Sequence, residues 1–435
     1  MSKEDASQRW QRQTIAYARA INAYVEKGLR EGWDNVGDEP SSAGREKLVP
    51  ALLEALREAN RNGRLDGLQA TWPPAHAPLH EVLDEKGQAI PLLALLDDGS
   101  IVARIGATWE PGRVVRIVGD RVEEVPGLAF FGACPNRRFY ALARETGVEV
   151  HDGWDGPVVL RCPWPRGDED APEGVALEAF AETPRPTRLQ PFPDGRRVLL
   201  VSGSGIFVLE PEGARRLYPD NASLREYAES TDYEPPYSTG LSMEHGAVSA
   251  DGRWIAVGAQ DGRHHLFDAD LQPVAAIGPH GEYPHFALFS GDGRSVAFNA
   301  CHFYNGGTIA VDLARAPGLD SDHYEEVDGV TLVEAGARVY AGASQGDRFI
   351  LGDAYGYLRC VDAAGNPVWQ HFLGSTLCAI DLSADGRTLV ASSYAGIIAI
   401  IDLDAGRPEW QIGTGEHHER RRWLFWKGEE TPLAW

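Results

Sequence analysis

A short turn signal recurs through most of this chain and constrains its fold more than any other feature. Asp-Gly pairs stand at Asp98-Gly99, Asp194-Gly195, Asp251-Gly252, Asp292-Gly293 and Asp385-Gly386, with weaker equivalents at Asn136 and Gly346-Asp347. A glycine after a short polar side chain supplies the positive φ of a tight hairpin turn. The flanking stretches are short and alternate apolar with polar residues, the period of half-buried strands. The clearest unit has strands at 378–382, 388–393 and 397–402, then Glu409-Trp410-Gln411-Ile412 as a fourth.

The turns at 98, 136, 194, 251, 292, 347 and 385 are separated by 38, 58, 57, 41, 55 and 38 residues. The short intervals match the ~40–50 residues of one propeller blade, and the long ones are a blade plus an insertion. Seven turns predict seven blades. The expected fold is therefore all-β: a seven-bladed β-propeller of four-stranded antiparallel blades with a short N-terminal helical segment. Residues 1–75 form that segment and a linker, 80–415 the propeller, and 416–435 an aromatic and basic tail. The 48 Gly and 28 Pro against 2 Met in 435 residues suit many short strands joined by turns. Ring closure is open, with residues 80–84 a candidate extra strand for the first or last blade.

Before the repeats the period is helical. Ile15, Ala18, Ile21, Val25 and Leu29 recur at spacings of three and four, which predicts a helix over about 6–33. Leu48, Leu52, Leu56 and Ala59 mark a second helix that stops at Asn62-Gly63. The Pro-rich stretch Trp72-Pro73-Pro74-Ala75-His76-Ala77-Pro78 reads as a linker.

Several third strands end in an apolar residue and Asp: Phe267-Asp268, Val311-Asp312, Val361-Asp362 and Ile401-Asp402. In this the chain resembles the WD40 propeller superfamily, although it lacks that family's Trp before the Asp and its Gly-His dipeptide. Two late repeats are similar to those of pyrroloquinoline-quinone-type propellers, through Gly356-Tyr357-Leu358, Val361-Asp362-Ala363, Gly365 and Trp369, then Ile397, Asp402, Gly406 and Trp410. These resemblances imply an architecture. They imply no cofactor, because the quinone dehydrogenases work outside the cytoplasm and this chain has no adjacent cysteines.

The formal net charge of −23 argues against nucleic acid, whose phosphates need a basic footprint. No stretch reaches 18 consecutive apolar residues, so no membrane span is expected. Five scattered cysteines without a Cys-x-x-Cys pair, and no apolar leader, fit a reducing cytoplasm. Two insertions, about 163–185 and 219–240, precede first strands and should project from one face of the ring. They are rich in carboxylates, with Asp168, Glu169, Asp170, Glu229, Asp232 and Glu234 as candidate interaction residues. Such loops are often simply solvated, yet long loops on a rigid scaffold are where function concentrates. A third acidic stretch spans 320–328, in a blade whose strands are ambiguous.

Histidines give the one hint of a chemical site. Glu244-His245, Tyr283 with His285, and Cys378 open the first strands of three blades. First strands line the propeller axis, so these groups are expected to approach one another at one channel mouth. Their types suit a transition metal, but no ligand spacing is recognisable, and no metal or cofactor is expected. No nucleophile elbow, phosphate loop or acid–base pair is present.

The leading functional expectation is a non-enzymatic cytoplasmic scaffold for protein partners, an accessory subunit of a larger assembly. The alternative is a metal-dependent hydrolase or lactonase of the propeller type, or a small-ligand binder, using the channel mouth. The tail is too aromatic to stay in water: Trp423, Phe425, Trp426 and Trp435 should pack on the ring, the helices or a partner.

Overall fold

The computed structural model describes residues 3–435 except 43, 80, 81, 83, 84, 231, 233 and 304. Each of the seven turn signals lies between the first and second strands of a separate antiparallel sheet. The sheets span 92–124, 131–163, 186–218, 245–277, 284–335, 339–372 and 377–434, numbered here as blades 1 to 7. Six have four strands in sequence order, and the seventh has five. The chain is a seven-bladed β-propeller.

Local chemistry explains why the turns recur. At 249–253, 290–294 and 383–387 the sequence is Ser-x-Asp-Gly-Arg. In all three, Asp Oδ1 accepts the N–H of the Arg two residues on at 3.0 Å. The Ser hydroxyl donates to the same carboxylate at 2.6–2.7 Å. It also accepts the N–H of Trp254, Ser295 or Thr388 at 2.9–3.0 Å, which starts the second strand. The glycines hold φ of 72°, 69° and 71°, where a side chain would be strained. In blade 2 Cys134 takes the serine's place, with its sulfur 3.0 Å from the Phe139 N–H and 2.6 Å from Asn136 Oδ1. Arg137, at φ 63°, replaces the glycine.

The expected fourth strand of blade 7 at 409–412 does not form. That place is taken by His418–Leu424, which pairs with Ile397–Asp402 and carries a short fifth strand, Leu433–Ala434. Residues 412–414 instead cross to the outer edge of blade 6, where the Phe372 N–H donates to Ile412 O at 3.0 Å and the Thr414 N–H to Gln370 O at 2.8 Å. Burial decides between the two segments. Trp423 and Leu424 are 3% and 1% exposed in the strand that formed, and Phe425, Trp426 and Trp435 are all within 2%. Covering an outer edge also removes unpaired backbone groups that would template aggregation. Blade 4 is treated likewise, with residues 318–321 bonded along its outer strand Pro273–Ile277.

Every blade is continuous in sequence, and the segment before blade 1 closes the ring by backbone bonds to blade 7: the Lys427 N–H donates to Lys86 O at 2.7 Å, the Gln88 N–H to Phe425 O at 3.1 Å and the Ile90 N–H to Ser393 O at 3.3 Å. The candidate extra strand at 80–84 falls, apart from Val82, outside the described residues. Ile90, Leu93 and Ile101 of the blade 1 side share a core cluster with Val390, Ile398 and Trp423 of blade 7. Arg137 of blade 2 reaches across blade 1 to the carbonyls of Leu95 and Leu382, and lies 3.2 Å from Asp381 of blade 7. Asp381 in turn accepts the Leu95 N–H at 2.7 Å. One ion pair therefore ties three blades over the closure. Replacing Asp381 with Ala should cost about 3 kcal/mol, the low end for breaking a buried pair because both side chains keep some solvent contact. Urea denaturation of D381A and of R137M/D381L checks this. The double variant should regain most of the loss, and an unchanged D381A midpoint would discount the clamp.

The first helix runs Lys3–Glu31 and the second Val49–Arg61, capped by Asn62. The first buries a stripe turned slightly from the expected one, through Trp10, Thr14, Ala18 and Ile21, while Leu29 is 63% exposed. Both helices share a core with blades 6 and 7 and with Trp426 and Trp435. No helix among the described residues is long and apolar enough to cross a membrane.

Candidate functional site at the ring face

Successive strands of a blade run in opposite directions, so second-to-third-strand loops and blade-to-blade connections share one end of the ring. Both acidic insertions belong to that end, and they pack on each other. Leu177 and Tyr237 form a parallel bridge, and Val175, Leu177, Leu224 and Tyr237 make a small apolar core. The second insertion contains the helix Asn221–Glu229, capped by the Asp220 carboxylate on the Ser223 N–H at 2.7 Å.

The carboxylates divide by role. Asp170 is tied down, its Oδ2 accepting the Arg216 N–H at 3.3 Å and its carbonyl the Arg216 guanidinium at 2.7 Å. Glu169 accepts the Arg166 N–H at 2.8 Å, and Asp168 pairs with the exposed Arg166 side chain at 3.4 Å. Glu229, Asp232 and Glu234 point to solvent. The third acidic stretch climbs the flank of blade 4 to the same end, where the Tyr324 N–H meets Pro279 O at 3.1 Å and His323 Nε2 meets Gly281 O at 3.0 Å.

The structure places His245 in a buried pair with His264, a residue outside the expected cluster. His245 Nε2 is 3.0 Å from His264 Nδ1, and His245 Nδ1 is 3.2 Å from the Met243 carbonyl. A carbonyl only accepts, so His245 carries its proton on Nδ1 and His264 donates from Nδ1. His264 stacks on Phe298 with ring centres 4.3 Å apart. Burial holds both rings neutral, pushing His245 down to about 3 and His264 well below the ordinary imidazole range.

His285 sits between two carbonyls, Tyr283 O at 2.8 Å and Val339 O at 3.0 Å. Burial lowers its pKa to about 4, and a neutral ring carries a single N–H, so His285 donates to one of these carbonyls and only packs against the other. Tyr283 turns instead to His302, with ring centres 5.1 Å apart. Glu244 accepts the Thr187 hydroxyl at 3.0 Å, and burial raises its pKa. Cys378 lies 4.0 Å from the Thr376 carbonyl, its thiol raised far above the ordinary range by burial. Among the described residues no group of three or more His, Cys, Asp or Glu side chains is placed to hold a metal ion.

What the mouth presents outward is aromatic. Tyr340 links His285 to Tyr394, at ring separations of 6.0 and 6.2 Å, and Arg338 lies over Tyr340 at 4.9 Å. Around it, second-to-third-strand loops of four adjacent blades each raise an exposed ring: Phe303 in blade 5, Tyr355 in blade 6, Tyr394 in blade 7 and Trp109 in blade 1. Their exposures are 70, 46, 37 and 65%. This arc was not anticipated, although the sequence carries a signal for it. Trp109 and Phe303 stand eleven residues after Asp98 and Asp292, and Tyr394 nine after Asp385, where a second strand has just ended. The four tail aromatics lie elsewhere: Trp426 and Trp435 are buried between ring and helices, and Trp423 and Phe425 between blades 7 and 1.

No family model matches the chain, and no curated protein matches it. Among solved structures it is similar to the β-propeller domain of Cps50 (Swd1) from Myceliophteria thermophila, at 12% identity over 70% of this chain and 92% of that domain, with a TM-score of 0.47. It is also similar to the computationally designed Ika8 protein, at 14% identity over 72% of this chain and 96% of that one, with a TM-score of 0.44. The propeller assignment rests on this chain's own sheet order and repeat.

Proposed function

We propose that the protein is a non-enzymatic interaction scaffold that receives a basic segment of a partner protein on the ring face described above. The observation that carries this reading is the pairing of two features at one end of the ring. Four adjacent loops on blades 5, 6, 7 and 1 expose aromatic rings, and the insertions after blades 2 and 3 expose carboxylates at the same end. Exposed aromatic side chains are costly to leave in water and are enriched where proteins bind. An aromatic surface beside carboxylates favours Arg and Lys, through cation–π contact and charge. The histidines behind that surface serve the fold, since His245, His264 and His285 are buried and each spends a ring nitrogen on one another or on the backbone. Metal-dependent hydrolysis at the mouth would need ligands that are free to turn toward an ion.

A peptide array of graded net charge tests the reading. Basic peptides should be retained, with affinity falling as salt is raised. The combined variant W109A/F303A/Y355A/Y394A should keep its melting temperature and lose at least tenfold in affinity. Retention without a charge preference, or an unchanged variant, would count against the proposal.

A further inference from the structure

A pocket lies at the outer rim of blades 6 and 7, in the seam where the helical segment meets the ring. Its volume is about 190 Å³, and four separate stretches of chain wall it: the first helix, Arg45, the linker at 74–77, and the ring around Phe372, Ile412 and Arg422. That volume is below the ~300–1,000 Å³ of drug-sized sites, which limits an occupant to a small molecule.

Arg45 is the unusual group in this wall. It is 2% exposed, and its one hydrogen bond among the described residues is a long one, from Nη1 to Thr14 Oγ1 at 3.4 Å. Its Nη2 is buried with no partner. Aromatic rings flank the guanidinium, Tyr17 at 4.5 Å and Trp10 at 5.8 Å. Burial works against its charge, and the neighbouring Glu46 acts on it only through space. An arginine does not shed its proton, so a buried one without a counterion is expensive. The other cation in the wall is already satisfied, since Arg422 binds Glu419 through two contacts of 2.6 and 2.8 Å. One positive charge is thus left over, on a side chain that lines the cavity.

We propose that this seam pocket binds a small organic carboxylate, its carboxylate on the Arg45 guanidinium and its apolar body between Ala18, Phe372 and Ile412. A phosphate fits less well, because a single guanidinium serves its larger charge poorly and Glu419 and Glu39 also line the space. An occupant would touch all four stretches at once, so binding would fasten the helical segment to the ring and raise its stability with ligand concentration.

Calorimetric titration and thermal melting of the full chain with benzoate test this, with benzamide as the neutral counterpart of the same shape and inorganic phosphate as the competing anion. Benzoate should bind saturably, at least tenfold more tightly than either control, and raise the melting temperature. R45M should weaken benzoate binding more than tenfold. Because R45M also removes packing on two rings, I412W serves as an independent variant that fills the pocket and leaves Arg45 in place; it should lose benzoate binding while remaining folded. The proposal is overturned if benzoate shows no saturable binding, if benzamide or phosphate binds as tightly, or if a folded variant binds benzoate like the parent.

Discussion

A chain ending after Gly415 should fail to fold. It would lose His418–Leu424, the outer strand of blade 7, and the short strand Leu433–Ala434 beyond it. With them go Trp423, Phe425, Trp426 and Trp435, each at most 3% exposed. Burying an aromatic of this size is worth roughly 1.5–3 kcal/mol, so four amount to about 6–12 kcal/mol. Whole domains are stable by only ~5–15 kcal/mol. The truncation would also bare the edge of Ile397–Asp402 and remove the surface on which both helices pack. Expression with circular dichroism and size-exclusion chromatography checks the outcome, which should be aggregated or unfolded protein. A milder probe is W435F, which keeps the ring but loses the indole N–H donated to Trp72 O at 2.6 Å; its melting temperature should fall by a few degrees. A soluble truncated chain melting like the parent would show that the tail is not part of the ring's core.

The blade count was legible because each turn is specified locally. In three of them a carboxylate, a serine and a glycine within five residues close their own hydrogen bonds, and nothing distant is needed to read them. The error in blade 7 has the opposite cause. Glu409-Trp410-Gln411-Ile412 and His418–Leu424 both have the pattern of an outer strand, and only tertiary packing separates them. The second segment brings more apolar area to the helices, while the first finds a free edge on blade 6 and a partner in Asn22, whose side chain bonds Gln411 O at 3.1 Å and the Gly413 N–H at 2.9 Å. The helix stripe was legible in period but not in phase, because Trp10 and Thr14 seat the first helix against the linker and leave Leu29 outside.

The candidate site was less legible still. Knowing that first strands line the axis placed His245, His285 and Cys378 near one end of the channel, which is a backbone statement. Which way each ring is turned depends on partners far apart in sequence, such as His264 for His245 and the Val339 carbonyl for His285. The same limit hid Arg45, since its lack of a counterion becomes visible only when the helix, linker and ring are assembled around it.

The buried imidazoles should make the protein acid-sensitive well above the carboxylate range. In the unfolded chain each histidine takes up a proton near pH 6.5. In the folded chain burial holds His245 and His371 down at about 3 and His285 at about 4. His371 is 1% exposed and neither ring nitrogen has a hydrogen-bond partner; Glu419, 4.0 Å away, is already taken by Arg422. A folded pKa below the unfolded one contributes stability that is complete above pH 6.5 and is lost as pH falls toward the folded value. At pH 5 the gap is about 1.5 units, or ~2 kcal/mol for each group, so His245 and His371 alone remove about 4 kcal/mol. Glu334 works the other way. Burial raises it to about 6, so its contribution is complete below its unfolded value and lost as pH rises through 6, which returns roughly 1 kcal/mol at pH 5. The turn carboxylates of Asp98, Asp251 and Asp385, held low by their hydrogen bonds, continue the decline only below about pH 4. Urea denaturation at pH 7, 6, 5 and 4 should therefore show a midpoint falling from pH 6.5 downward and global unfolding by about pH 4. H371M should flatten that dependence by close to one proton between pH 6 and 5. Stability that stays level or rises from pH 7 to 5 would mean these rings are not held neutral in the folded protein.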